Sequence, residues 1–260
     1  MNDKIIKIVN DYGIDDIGFC AFDTVKENLL DCRAAARIPE KAASIILFLF
    51  PYKVKEQPPQ KISRYAAVPD YHIICGEYLK KIKAALEAEF PKNRFEMFID
   101  NSPIPEVYAA ACAGLGVIGE NGLLINRRWG SWCFIGEIVT DLSLNCKNKP
   151  ENCSLCGACK NACPRGIHGT DCLSALSQQK KPLSETEIRA ITENNIIWGC
   201  DICAEVCPHN KSAELTYIEE FKKGYRDSYI PGEDIKNRAY AWRGEKVVKR
   251  NYEILNGENF

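Results

Sequence analysis

Eight of the 14 cysteines lie between Cys153 and Cys207, seven of them in two runs whose spacing suits metal binding. The first run reads Cys-x2-Cys-x2-Cys-x3-Cys-Pro and ends at Pro164, and the second reads Cys-x2-Cys-x3-Cys-Pro and ends at Pro208. In bacterial ferredoxins such spacing places three thiolates around one [4Fe-4S] cluster, while the cysteine before the proline binds the other cluster. Two such clusters need eight thiolates, so the spacing predicts two [4Fe-4S] clusters.

The second run lacks its first cysteine, and Cys172, which stands alone between the runs, can supply the missing thiolate. The last cysteine of each run is expected to bind the cluster of the other run. Cluster 1 is therefore assigned to Cys153, Cys156, Cys159 and Cys207, and cluster 2 to Cys163, Cys172, Cys200 and Cys203. The alternative is a pair of zinc ribbons, which would use Cys-x2-Cys pairs without a third evenly spaced thiolate. The six other cysteines are scattered, and they are predicted to be small, mostly apolar residues without a metal.

Composition excludes several classes of protein. The chain has 260 residues, 46% of them hydrophobic, and 34 basic against 35 acidic residues give a net charge of −1. Such a chain is not disordered, and its overall charge does not favour nucleic acid or an anionic membrane. It has no apolar run of about 18 residues and no apolar signal-peptide core at its charged start. Free cysteines then predict a reducing, cytoplasmic compartment and no membrane association.

The periodicity of apolar residues predicts the elements that must position these groups. Helices are expected over residues 2–12, 70–90, 105–113 and 238–255, and strands over 17–22, 43–50, 95–99, 123–126 and 132–140. The predicted fold class is α+β: a mixed α/β domain over residues 1–145, a ferredoxin-like double [4Fe-4S] module over 146–210, and a helical tail over 211–260. Because clusters pass single electrons, the larger first domain is the natural place for a further cofactor and a substrate.

Short segments between residues 63 and 255 follow one another in the order found in a known family. They are Ser-Arg-Tyr-Ala at 63–66, Asp-Tyr-His at 70–72, Ile-Asp-Asn-Ser-Pro at 99–103, Ala-Gly-Leu-Gly-Val-Ile-Gly at 113–119, Gly-Ser-Trp at 130–132, Gly-Glu at 136–137, Gly-Cys-Asp at 199–201, and Trp242-Arg243 to Arg250-Asn251, together with the eight cluster cysteines. With these segments the sequence resembles the epoxyqueuosine reductases, cobalamin-dependent iron–sulfur enzymes of queuosine biosynthesis in tRNA. It resembles the corrinoid reductive dehalogenases more distantly.

The resemblance implies an oxidoreductase that passes electrons through two clusters to a base-off cobalamin, held between the N-terminal domain and the cluster module. It places the proton donor at Asp100. A carboxyl group at the end of the apolar strand 95–99 is expected to have a raised pKa, as a donor to an alkoxide requires. From the residues alone, a cap for a helix starting near Pro103 is the favoured role of Asp100.

Further residues are implied as cobalamin contacts by the resemblance: Tyr65, Asp70, His72, Leu124, Ile135 and Asp201. The expected partners are tRNA as substrate and an external electron donor of the ferredoxin or flavodoxin type.

Three departures from the family keep other functions open. Glu120 stands where the family usually has lysine, the loop between Cys163 and Cys172 is short, and the chain is expected to lack the C-terminal helical repeats that help to bind tRNA. Residues 209–260 hold ten basic and nine acidic residues, which is no substitute for a basic surface. One alternative is therefore a corrinoid reductase of a small molecule. Another is a non-catalytic electron carrier with two clusters.

Overall fold

The computed structural model describes residues 1–146, 149–167 and 172–257. The strands are β1 (Ile17–Ala21), β2 (Ser44–Pro51), β3 (Phe95–Ile99), β4 (Val117–Ile118), β5 (Leu124–Ile125) and β6 (Cys133–Thr140). The helices are α1 (Asn2–Asn10), α2 (Arg64–Ala67), α3 (Tyr71–Glu89), α4 (Glu106–Cys112), α5 (Ala158–Ala162), α6 (Leu173–Ser177), α7 (Glu185–Glu193), α8 (Ile202–Glu205), α9 (Glu219–Lys223) and α10 (Glu245–Asn256).

The first of two compact units comprises Met1–Pro51 and Tyr71–Leu155. Its sheet has the strand order β1-β2-β6-β3, with every neighbouring pair antiparallel. Every residue of β2 is buried, as its uninterrupted apolar sequence predicts for a central strand covered on both faces. β4 and β5 form a separate two-stranded ribbon.

Helices cover both faces of this sheet. On one face α3 packs closely on β6, where a Cβ added at Gly136 would lie 3.0 Å from Leu79 and 2.8 Å from Phe50. On the other face the small residues of α4 join Leu47, Ile135 and other strand residues in one core cluster. Because alanine side chains are short, α4 can approach the sheet closely, and this brings its first residue near the end of β3.

The second compact unit comprises Tyr52–Asp70 and Cys156–Phe260. Residues 52–70, which the sequence assigns to the N-terminal domain, belong here because of backbone pairing. Ile62 forms a parallel bridge with Trp198, and the N–H of Ser63 donates to the carbonyl of Trp198 over 2.8 Å. The compact units therefore differ from the three predicted ranges at this segment, and also at residues 146–155, which belong to the first unit, and at 211–260, which is part of the second unit.

The predicted fold class is confirmed, and most predicted elements are found within a few residues of their expected bounds. The single helix expected over 238–255 is wrong. A short 3-10 turn over Ala241–Arg243 is followed by Gly244 at φ 88°, and α10 begins only after it. A helix cannot continue through this left-handed backbone conformation. Among the described residues no helix combines the length and the apolar character needed to cross a membrane.

Candidate active site and cluster-binding segment

Asp100 lies in a strained turn directly after β3. Its φ is 57°, a left-handed conformation that residues other than glycine seldom adopt. The N–H of Asn101 donates to Ile99 and the N–H of Ser102 donates to Asp100, each over 2.7 Å, so two tight turns hold the backbone. α4 begins at Glu106 without a side-chain cap. Asp100 is therefore not the cap of this helix, and its strained backbone favours a functional role.

His72 is a side-chain hydrogen-bond partner of Asp100. Its Nε2 lies 3.1 Å from Asp100 Oδ2, and its ring stacks on Tyr71, which stacks in turn on Phe134 at 4.1 Å between ring centres. The hydrogen bond from His72 lowers the pKa of Asp100 below its ordinary value, against an opposing contribution from burial. The expectation of a raised pKa for Asp100 is thus wrong in direction, because a residue distant in sequence stabilises the carboxylate. The Asp100 side chain is still 59% exposed, so a ligand can reach it.

A cavity of about 400 Å³ in the first unit opens beside Asp100. Its polar lining includes Asp100, Ser102 and Glu106, and Ile104 and Ile118 are among its apolar lining residues. Nothing in the sequence indicated Glu106, and Glu137, whose Oε2 accepts a hydrogen bond from Ser102, entered only as part of the family segment at 136–137 without a role. One signal was available: Glu137 is the one charged residue of the mostly apolar strand β6.

The other residues implied in cobalamin binding divide between the two units. In the first unit, Leu124 and Ile135 are only 6% and 9% exposed and pack in the core, which leaves their backbone as the part able to face a ligand. In the second unit, Tyr65 Oη accepts a 2.9 Å hydrogen bond from Trp198 Nε1. Asp201 Oδ2 accepts one of 2.6 Å from the N–H of Arg64, and burial raises the pKa of Asp201 to about 7. The N–H of Asp70 donates to the carbonyl of Asn237 over 2.8 Å.

Several of the cysteines assigned to the clusters lie near one another in the second unit. α5 contacts α8, so that the helices carrying Cys159 and Cys203 are neighbours. The pKa of the Cys200 thiol is raised to about 12 by burial, with further contributions from Cys172 and Cys203. Three of the four thiols assigned to cluster 2 are therefore close enough to interact electrostatically, and soft thiolates are the donors that iron–sulfur clusters use.

In the first unit, Cys153 is held by two backbone contacts. Its N–H donates to the carbonyl of Ile118 over 2.9 Å, and its Sγ accepts a 3.3 Å hydrogen bond from the N–H of Glu120. Such N–H···S contacts influence the potential of a cluster. Glu120 acts here through its backbone, so the change from the family's lysine does not remove this contact.

A second cavity, of about 470 Å³, lies within the second unit beside Cys200. Ser63, Gly199 and Asp201 are among the residues that line it. Gly199 has a φ of 69°, and its N–H donates to Ser177 Oγ over 2.9 Å. A Cβ at this position would overlap Ser63 Oγ and lie 3.0 Å from Tyr65 Cε1. The neighbour of Cys200 must therefore be glycine.

We expect Gly199→Ala to lower the thermal unfolding midpoint of the cluster-loaded protein and its iron content. The left-handed backbone costs an alanine roughly 1–2 kcal/mol, and the overlap with Ser63 adds about 1–3 kcal/mol. Gly232→Ala is the matched control, because Gly232 has a φ of 80° but no atom within 4 Å of its Cβ position. Equal losses in both variants would contradict the steric argument.

Two ranges of the chain match models of known protein families. The family described as "Epoxyqueuosine reductase QueG, DUF1730" matches residues 33–101, and the "4Fe-4S double cluster binding domain" matches residues 152–210. The second match confirms a double-cluster domain in the range where the eight cysteines lie.

Similar whole proteins are also found. The epoxyqueuosine reductase of Leadbetterella byssophila is 35% identical over 199 residues, which cover 74% of this chain and 66% of that protein. The epoxyqueuosine reductase of Cyclobacterium marinum is 30% identical over 231 residues, 83% of this chain and 70% of that protein. A crystal structure of epoxyqueuosine reductase with an epoxyqueuosine-modified tRNA-Tyr stem loop matches with a TM-score of 0.83 and 21% identity, over 99% of this chain and 81% of that one. The last likeness shows a shared fold.

Proposed function

Since the chain belongs to the epoxyqueuosine reductase family, we propose that it is a cobalamin-dependent iron–sulfur reductase that converts epoxyqueuosine to queuosine in tRNA. The observation that carries this proposal is Asp100, an accessible carboxylate on a strained turn at a cavity, in a chain that also has a double-cluster domain. Its relatives are named for this activity. We further propose that the protein works in the cytoplasm with a ferredoxin or flavodoxin as external electron donor.

The residues that would hold the cofactors are those indicated by the spacing of the cysteines and by the family resemblance. Cysteines 153, 156, 159 and 207 would bind cluster 1, and cysteines 163, 172, 200 and 203 would bind cluster 2. Tyr65, Asp70, His72, Asp201 and the backbone at Leu124 and Ile135 are the proposed cobalamin contacts. When bound, the clusters and cobalamin supply the electrons that break the carbon–oxygen bonds of the epoxide.

The protein's own contribution is to position the substrate and supply protons. Opening a carbon–oxygen bond with electrons leaves an alkoxide, which must be protonated. Asp100 would pass it a proton, because its carboxylate is exposed at the cavity and its Oδ2 is hydrogen-bonded to His72. The stacking of His72 on Tyr71 fixes the imidazole ring, so that it can return a proton to Asp100 along the 3.1 Å contact.

A second candidate is a reductase of a small epoxide or halide with the same cofactors. One observation favours it: Glu120 stands at the position where the family usually has lysine. The substrate separates the two candidates, since the proton-donating groups would be the same.

The test is cobalamin uptake followed by turnover. We expect the anaerobically reconstituted protein, loaded with both clusters, to change the visible spectrum of cobalamin and to convert epoxyqueuosine in tRNA. Uptake without conversion of tRNA would exclude the tRNA substrate and favour the small-molecule reductase, to be tested with a panel of epoxides and halides. Absence of uptake would exclude both reductases and leave the electron carrier.

A further inference from the structure

Glu137 is a carboxyl group in the middle of the main sheet. It is 0% exposed, and its neighbours in register are Leu47 on β2 and Phe98 on β3. Ser102 Oγ donates to Glu137 Oε2 over 2.5 Å, and Oε1 has no hydrogen-bond partner among the described residues. A charged carboxylate with an unpaired oxygen is very costly at such a place, so Glu137 is held in its neutral form.

Glu106 is a second acid with an unpaired oxygen, and it lines the cavity. Its Oε1 is buried and has no partner among the residues that the structure describes, while the backbone N–H of Asp100 provides a hydrogen bond to its carboxylate. Glu106 and Asp100 line the same cavity of about 400 Å³. Both acids can therefore face one ligand in that cavity.

The surroundings of Glu106 favour its protonated form at neutral pH. Burial and the negative charge of Asp100 raise the pKa of Glu106 to about 8, against smaller opposing effects of the Asp100 backbone and His72. Glu106 in turn contributes to the raised pKa of Glu137. The pKa of Asp100 is lowered and the pKa of Glu106 is raised. Their surroundings therefore favour an ionised Asp100 beside a protonated Glu106.

The proposed reaction needs two protons at one place. Converting an epoxide to an alkene breaks two carbon–oxygen bonds, forms a carbon–carbon double bond and releases the oxygen as water. It consumes two electrons, which the external donor supplies, and two protons. One proton, passed on by Asp100, protonates the alkoxide. The hydroxide that leaves needs a second proton.

We infer that Glu106 is a second proton donor of the cavity, delivering its carboxyl proton to the oxygen that leaves as water. The inference rests on the proposed function and assigns a residue to its second protonation. The O–H bond of Glu106 breaks, its electron pair stays on the carboxylate, and the proton joins the leaving hydroxide. Glu106 then regains a proton from solvent through the open cavity.

The first experiment observes the proton on Glu106 in the holoenzyme without substrate. Infrared difference spectra are recorded against pH, and the carbonyl band of a protonated carboxyl group is identified by its shift in D2O. We expect a band that disappears with a midpoint near pH 8, is absent in Glu106→Gln, and persists in Glu137→Gln, the same exchange at a buried acid outside the cavity lining. A wild-type spectrum without such a band would overturn the inference whatever the activity.

The second experiment measures turnover of epoxyqueuosine tRNA against pH. We expect Glu106→Gln to lower kcat by about 100-fold or more, with KM changed less than about threefold, and to remove the decline of wild-type kcat above pH 8. Glu137→Gln is the matched control: the same exchange at a buried neutral acid outside the cavity lining should keep the decline. An unchanged kcat in Glu106→Gln would overturn the inference, while a wild-type protein that shows the band but no conversion would overturn the proposed substrate and, with it, this use of the proton.

Discussion

Asp100→Asn is expected to reduce the turnover of epoxyqueuosine by about 100-fold to 10,000-fold, the range in which general acids contribute. The amide has the shape of the carboxylate but cannot pass on a proton from His72. Asparagine also tolerates the left-handed backbone at φ 57°, so the turn between β3 and α4 is preserved. The loss should therefore appear in kcat, and the visible spectrum with bound cobalamin should remain that of the wild type.

The control for this variant is Asp70→Asn, the same exchange at a residue in the second unit that does not line the cavity of Asp100. Asp70 is a proposed cobalamin contact, so its exchange should weaken cobalamin uptake and leave kcat at saturating cofactor within about threefold of the wild type. If Asp100→Asn retained wild-type kcat, Asp100 would not be the proton donor, and Glu106 and His72 would be the remaining candidates in its surroundings.

Sequence reasoning succeeded where neighbouring residues determine the structure. The continuous apolar run of β2, the helical period of α3 and the spacing of the cluster cysteines all act locally, and each prediction agrees with the structure or with the matched double-cluster domain. α10 is shorter than the helix predicted over residues 238–255, because Gly244 has a positive φ and the helix begins only after it.

The chemistry of the cavity depends on contacts between residues far apart in the sequence. His72 lowers the pKa of Asp100 from 28 positions away, and Ser102 meets Glu137 from 35 positions away. Periodicity and spacing carry no information on such pairs. The family resemblance therefore indicated Asp100 as a functional residue, which stays a prediction, while the sequence predicted the wrong direction for its pKa and gave no indication of Glu106.

Cys172→Ala is expected to remove one of the two clusters. Cys172 precedes α6, stands outside both cysteine runs, and contributes to the raised pKa of Cys200. Alanine offers no ligand atom, so cluster 2 would lose one of four thiolates, and iron content should fall from about eight atoms per chain to about four. Turnover should be lost with it, because electrons would no longer pass through two clusters. Iron analysis and EPR of the reduced protein measure both effects.

Cys146→Ala is the matched control for this variant. Cys146 is also half-buried and outside both runs, but its Sγ contacts the carbonyl of Leu144 and its raised pKa is caused by burial, with no other cysteine contributing. It should retain about eight irons and wild-type turnover. Full iron content in Cys172→Ala, or loss of a cluster in Cys146→Ala, would show that the lone ligand is wrongly assigned. Zinc in place of iron in the wild-type protein would instead favour the zinc-ribbon alternative, and electron transfer through this unit would then be excluded.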